Sequence, residues 1–398
     1  MSKYIELEDE FGSAAFQKFP LTMVRGEGAT VWDDSGKEYV DCMAGYGVAI
    51  IGHCNPAVVK AVREQSERLI TCHGSFYNDA RAAFLEKLIS VAPRGLEKAL
   101  LTNSGAETNE AAIKLARRHT GRKRIVSMMG GFHGKTFGAL SATWNKKYRE
   151  PFMPLLEHFD FARYGDAESL RAMVNEDTAA VIAEPIQGET GVIVPPPDYF
   201  KQVREICSRS GALLILDEIQ TGLGRTGRMW ASEHWGVVPD IMCVSKGLAG
   251  GLPMGAALAS KEVMGSLRRG EHSSTFAGNA LVCAAGSAAL SFIVGGDLPT
   301  QARMKGEVLK GLLTQAAERH KLVREVRGMG LMLAVETRVD IHEMLQAAMG
   351  RGVVFAYSGR ETFRLLPPIV IKDSQIQKAS EVLEGVVADE EARRSRPN

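Results

Sequence analysis

Residues 211–220 read GALLILDEIQ, and residues 240–257 read DIMCVSKGLAGGLPMGAA. In each, an apolar run closes on one ionisable side chain, Asp217 in the first and Lys246 in the second. Short apolar runs without polar alternation mark strands buried on both faces of a mostly parallel sheet. KALLT (98–102), KRIVSM (123–128), AAVIAE (179–184) and GAALAS (255–260) fit the same pattern. Helix-like stretches such as AETNEAAIKLARRH (106–119) and PDYFKQVREICSRS (197–210) lie between them. The alternation predicts an α/β fold with helices on both faces of the sheet.

Working outward, Gly295-Gly296 and Pro299 punctuate the end of this region. Beyond them, amphipathic helices flank EVRGMGLMLAVE (325–336) and TFRLLPPIVI (362–371), which read as a smaller α+β unit. On the other side, GATVWDDSGKEYVD (28–41) reads as a hairpin with Asp34-Ser35-Gly36 at its turn. The last twelve residues, VADEEARRSRPN, read as a charged, frayed end.

Composition narrows the function classes. Among 398 residues, 48 basic and 47 acidic side chains leave a net charge of +1. That balance removes the bulk electrostatic case for nucleic acid. The opening MSKYIELEDEF has no apolar run, which predicts no secretory signal. Six scattered cysteines without a CxxC pair read as buried thiols of a reducing compartment. Residues 273–296 carry no charge, but the apolar part, 280–294, is shorter than the ~18–20 residues of a membrane span. A buried core helix is the expectation, and with it a soluble, cytoplasmic protein that needs no membrane.

Two nucleotide motifs fail on context. Gly222-Leu223-Gly224-Arg225-Thr226-Gly227 matches GxGxxG after a strand, yet GRTGRMW does not open a helix and no acidic residue follows at ~20. Gly134-Lys135-Thr136 looks like the end of a phosphate loop, but the first glycine is missing because position 129 is methionine. A P-loop NTPase is the different-class alternative, and it fits poorly.

A better anion site is Ser104-Gly105-Ala106-Glu107. Ser104 and Glu107 form a capping box, while Gly105 and Ala106 leave bare N–H groups at a positive helix end. Alone, this is only a good helix start. Asp217 alone is equally a turn aspartate, and Lys246 alone an exposed lysine. Together they match the needs of pyridoxal phosphate: an amine for its aldehyde, a carboxylate for its ring nitrogen, and an anion site for its phosphate. Phe132 and Ile219 are placed to pack on the two faces of its ring.

At this point the chain resembles the class III pyridoxal-phosphate aminotransferases, of fold type I. The stretches that carry the resemblance are NSGAETNEAAIKLAR, FHGKTFGALSAT, EPIQGETGV, LLILDEIQTGLGRTG, VPDIMCVSKGLAGGLPMGA, STFAGN and RLLPP. The resemblance implies a large domain with a mostly parallel seven-stranded sheet and a small α+β domain built from both termini. The boundaries would be 1–50 (N-terminal part of the small domain), 51–296 (large cofactor domain) and 297–398 (C-terminal small domain). It implies Lys246 as the lysine joined to the cofactor and Asp217 as the ring-nitrogen partner. Gln220 would bond the ring hydroxyl, Phe132 would stack, and His133 and Ile219 would line the cofactor. Ser104, Gly105 and Ala106 would hold the phosphate with Thr275 of a neighbouring subunit, in a homodimer with shared active sites. No metal is implied.

For the substrate, the resemblance points to Tyr46, Lys135, Glu184, Glu189 and Arg364. Arg364 would bind the carboxylate of 2-oxoglutarate or glutamate, and Glu189 would pair with it otherwise. YVDCMAGYGVA (39–49), SATW followed by YREPF, and REVRGMGLM look most like enzymes of lysine and arginine synthesis whose substrates ride on LysW, an acidic amino-group carrier protein. Acetylornithine aminotransferases are close behind; ornithine and 4-aminobutyrate enzymes remain open. Lys135 stands where these enzymes usually have arginine, keeping the charge but losing the bidentate fork. Lys135, Lys146, Lys147 and Arg149 form the basic cluster expected to meet a carrier.

Overall fold

The structure, a computed structural model, describes residues 2–395. Its larger sheet orders seven strands as Lys98–Thr102, Gly255–Ala259, Ile241–Val244, Leu213–Asp217, Thr178–Ala183, Arg124–Met128 and Phe159–Ala162. Only Gly255–Ala259 runs against its neighbours. The remaining pairings are parallel, as the apolar runs imply. Phe159–Ala162 is the strand the sequence did not betray. Its FDFA is short and interrupted by a charge, because it forms an edge whose Asp160 meets Arg124 at 2.9 Å.

Helices Gly105–Thr120 and Tyr199–Ser210 cover this sheet through buried faces such as Ile113, Leu115, Val203 and Ile206. The uncharged segment forms the helix Ala280–Gly295, with Cys283, Ala285, Gly286, Ala289 and Leu290 buried. Its small residues have a packing reason: a Cβ on Gly286 would lie 2.6 Å from the Phe84 ring. No single helix is long and apolar enough to cross a membrane among the described residues.

A second seven-stranded sheet joins the two ends of the chain. The strands Thr30–Asp33 and Glu38–Cys42 form the expected hairpin, with Asp33 accepting from the turn N–H groups of Ser35 and Lys37. Glu38–Cys42 then pairs in parallel with Val353–Ser358, which pairs with Thr362–Leu365. Met332–Thr337 and Val323–Met329 complete that edge.

Three expectations need correction. Residues 387–394 are not frayed: they belong to the helix Asp373–Arg394, and Glu391 is tied to His320 at 2.8 Å. Residues 396–398 lie outside the described residues. Four cysteines are buried, but Cys54 is exposed and Cys72 half-buried. The capping box is only half formed. Ser104 Oγ accepts from Glu107 N, whereas Glu107 Oε2 takes the N–H of Asn103 rather than that of Ser104. As expected, GLGRTG opens no helix. Its Arg225 is fully buried and braces the carbonyls of Leu331 (3.1 Å) and Pro367 (2.5 Å).

Candidate active site

The strand ends deliver the two chemistry-bearing groups. Asp217 closes its strand and is 4% exposed. Its Oδ2 accepts from Asn109 Nδ2 and His133 Nδ1, each at 2.8 Å, and its Oδ1 from Ile219 N at 3.1 Å. A carboxylate only accepts, so His133 carries its hydrogen on Nδ1. Asn109 also donates to the His133 carbonyl at 2.7 Å, so three side chains lock one another. Lys246 follows its strand at φ +45°, a left-handed conformation uncommon for lysine. Desolvation lowers its pKa from the ordinary 10.5, against the attraction of Asp217.

The loop after Met128 brings in Phe132, whose N–H bonds Glu184 Oε1 at 3.0 Å. Glu184 Oε2 accepts from Gly188 N at 3.0 Å. Burial pushes the Glu184 carboxyl up to about 7, with the nearby Asp217 charge adding to the rise. Gly134 lets this loop lie against the start of the Gly105–Thr120 helix, where a Cβ would sit 2.7 Å from Ala106. In the first turn of that helix, the N–H groups of Gly105 and Ala106 have no intrahelical acceptor. Ile219 closes over them, for a Cβ on Gly105 would stand 3.0 Å from its Cδ1.

Arg364 is fully buried. Its Nη1 donates to Gly188 O at 2.8 Å and meets Glu189 Oε2 at 3.2 Å. Its Nε and Nη2 have no partner. Tyr46 lies over the guanidinium, 5.1 Å from ring centroid to Cζ. Tyr46 and Ala44 are the non-glycine residues of a left-handed turn, a conformation costing roughly 1–2 kcal/mol for each.

Two residues of this site escaped the sequence reading. Asn109 sits one helical turn after Gly105, a spacing from which its place could have been read. Tyr148, hidden among KKYR, packs edge-on to Phe132 with centroids 5.8 Å apart and donates to Glu189 Oε1 at 3.4 Å. Lys135 lies with its Nζ 4.8 Å from the Tyr148 ring. The expected basic cluster is smaller than the sequence suggested. Arg149 is half-buried against the Phe161 ring at 4.7 Å, leaving Lys135, Lys146 and Lys147 exposed. Thr275 is exposed, on the loop ahead of helix Ala280–Gly295, and its expected role requires a second subunit.

The residues fit pyridoxal phosphate. Gln220 gives its Nε2 to Tyr46 O at 3.5 Å and leaves a buried Oε1 without a partner, an acceptor suited to a ring hydroxyl. A Cβ on Gly188 would fall 2.0 Å from that oxygen, so the peptide beside it must be bare. An acceptor, a carboxylate, an amine and a helix end thus match the four polar corners of one molecule.

The comparisons agree. The family described as Aminotransferase class-III matches residues 11–387. The acetylornithine aminotransferase of Methanopyrus kandleri is 46% identical over 376 residues, 94% of this chain and 96% of that protein. The [LysW]-aminoadipate semialdehyde transaminase of Deinococcus radiodurans is 45% identical over 398 residues, 99% of this chain and 92% of its own. A solved ornithine aminotransferase from Toxoplasma gondii, with pyridoxal phosphate at partial occupancy, has a TM-score of 0.96 at 31% identity. It covers 99% of this chain and 95% of that one.

Proposed function

Because the chain belongs to the class III aminotransferases, we propose that it transfers the terminal amino group of a carrier-linked lysine or ornithine to 2-oxoglutarate, in lysine or arginine synthesis. The enzyme is a transaminase and its cofactor is pyridoxal phosphate. When bound, that cofactor supplies an aldehyde to take up the amino group and a ring to hold the electrons of the broken C–H bond. The chain's own residues do the rest. Lys246, whose charged form burial disfavours, is the amine that would join the cofactor aldehyde and would carry the proton during transfer. Asp217 would keep the ring nitrogen protonated, and Asn109 with His133 fixes the carboxylate for that task. Gly105 and Ala106 would hold the phosphate, Gln220 the ring hydroxyl, and Phe132 and Ile219 the ring faces.

The observation that carries the substrate reading is the half-satisfied guanidinium of Arg364. Two of its nitrogens lack partners, and the third bonds a glutamate that is 38% exposed and therefore displaceable. Such a site takes a dicarboxylate in one half-reaction. With Glu189 returned to Arg364, it takes an amine-bearing chain that offers no carboxylate there. Lys135, Lys146 and Lys147 supply a basic entrance for an acidic carrier. A second reading, acetylornithine as the free substrate, draws support from the Methanopyrus relative and from the withdrawal of Arg149 onto Phe161.

We also propose a cytoplasmic homodimer, with the 1–50, 51–296 and 297–398 division given above. Leu69, Ile70, Phe76, Tyr77 and Phe276 are exposed large apolar side chains, and Arg81 ties their two segments through Gly278 O and Phe76 O. This apolar face next to Thr275 supports a shared subunit boundary. The deciding experiment compares carrier-linked and free acetylated amines at low and high salt. A carrier preference that weakens with salt is expected. Equal use of acetylornithine, with no salt response, would make acetylornithine the substrate.

A further inference from the structure

We propose that Asp41 and His53 form a positioning pair that holds the left-handed turn at residues 44–47 and, through Tyr46, sets Arg364 for the substrate carboxylate. The inference rests on the reading of Arg364 given above. Four successive residues of this turn have positive φ: Ala44 (50°), Gly45 (60°), Tyr46 (58°) and Gly47 (87°). L side chains crowd the following carbonyl in this conformation, so a run of this kind needs an external hold.

Asp41 supplies it. Its Oδ1 accepts from Met43 N and Ala44 N, both at 2.8 Å, at the entry to the turn. Its Oδ2 accepts from His53 Nε2 at 2.6 Å, and the residue is buried. His53 is itself seated. It exchanges backbone bonds with Gly28 at 2.8 and 3.1 Å, and Gly26 leaves room for its side chain, where a Cβ would lie 2.8 Å from His53 Cβ. The strand from residue 23 to 27 thus closes against the imidazole.

The turn then touches the site at two points. Tyr46 covers the Arg364 guanidinium, and its carbonyl accepts from Gln220 Nε2. A third tie, Leu366 N to Cys42 O at 2.8 Å, joins the segment carrying Arg364 to the base of the same turn. Asp41 and His53 make none of these contacts themselves. They act through Tyr46, and they are positioning residues.

Steady-state kinetics of the holoenzyme with glutamate and with N-acetylornithine test the proposal. Asp41→Ala should raise KM for glutamate about tenfold, equivalent to ~1.4 kcal/mol. Its kcat and its KM for N-acetylornithine should stay within about twofold. Asp41→Asn keeps an Oδ1 acceptor for both N–H groups and should recover most of the loss. His53→Gln should shift the same KM in the same direction, and carries the test if Asp41→Ala does not fold. In a Tyr46→Ala background, Asp41→Ala should add nothing. Equal KM rises for both substrates, or additive effects with Tyr46→Ala, would overturn the positioning role. An Arg364→Ala variant with unchanged KM for glutamate would overturn both this inference and the reading beneath it. A normal Arg364 response beside an unresponsive Asp41 would overturn the inference alone.

Discussion

Glu189 bridges two partners of different strength: Oε2 lies 3.2 Å from Arg364 Nη1, and Oε1 accepts from the Tyr148 hydroxyl at 3.4 Å. The long phenol bond offers the carboxylate a second berth when a substrate claims Arg364. Because Arg364 is fully buried, an uncompensated charge there would be expensive, and Glu189 removes that cost whenever no dicarboxylate is bound.

Replacing Glu189 by Ala or Gln should therefore leave Arg364 permanently available to glutamate. The ratio of half-reaction rates should move toward glutamate by about tenfold, or ~1.4 kcal/mol of differential binding. Single-turnover absorbance changes with each amine measure it. Equal losses in both halves would assign Glu189 to structure only.

Asp217→Asn should retain cofactor but lose roughly a hundredfold in rate, about 3 kcal/mol of barrier. The amide oxygen can still accept from Asn109 and His133, at the loss of the Ile219 N–H bond, while the charge at the ring nitrogen is removed. Near-normal turnover would mean that another group pairs with the ring.

Lys246→Ala should abolish covalent attachment. Borohydride treatment followed by mass analysis should find the cofactor mass on the wild-type peptide containing residue 246 and not on the variant. Thermal unfolding should change little, because alanine meets the same left-handed φ of 45° and the lysine charge was already disfavoured by burial.

Glu184 gives a pH signature. Its carboxyl is raised from the ordinary 4.5 to about 7 by burial, so the folded state binds the extra proton. Its contribution is fully present below 4.5 and is lost as pH rises through about 7, amounting to ~3 kcal/mol at most. Glu184→Gln cannot titrate, so the variant's denaturation free energy should fall less steeply between these pH values. The slope is the readout, since glutamine also loses one of the two backbone bonds from Phe132 and Gly188. Parallel slopes would show that Glu184 does not titrate in this window.

The legible parts of the fold were those written locally. Asp217 and Lys246 stood out because each ends an apolar run, and strand ends are where an α/β sheet gathers ligands. Ser104 announced its helix by composition alone, although the partner of Glu107 did not follow from it. Arg364 could be placed only through resemblance, since its burial depends on Tyr46 and Gly188, both far earlier in the chain. Arg149 was misread for a related reason. Its partner, Phe161, lies in the one strand of the larger sheet that the apolar pattern missed, so the arginine looked free. The turn at Tyr46 was invisible because Asp41, which holds its entry N–H groups, is itself seated by His53, a contact set by tertiary packing.

The parallel pairing of Val40, Asp41 and Cys42 with Val353, Val354 and Phe355 has a consequence during synthesis on the ribosome. Roughly 310 residues must be added before the hairpin can find its central neighbour, a wait of roughly 15–60 s at ~5–20 residues per second. Through that interval Tyr39 and Val40, buried in the finished protein, have no cover from this partner strand. The nascent chain therefore carries an unpaired strand edge at residues 38–42 until residues 353–355 emerge, the kind of exposed edge that favours misassociation.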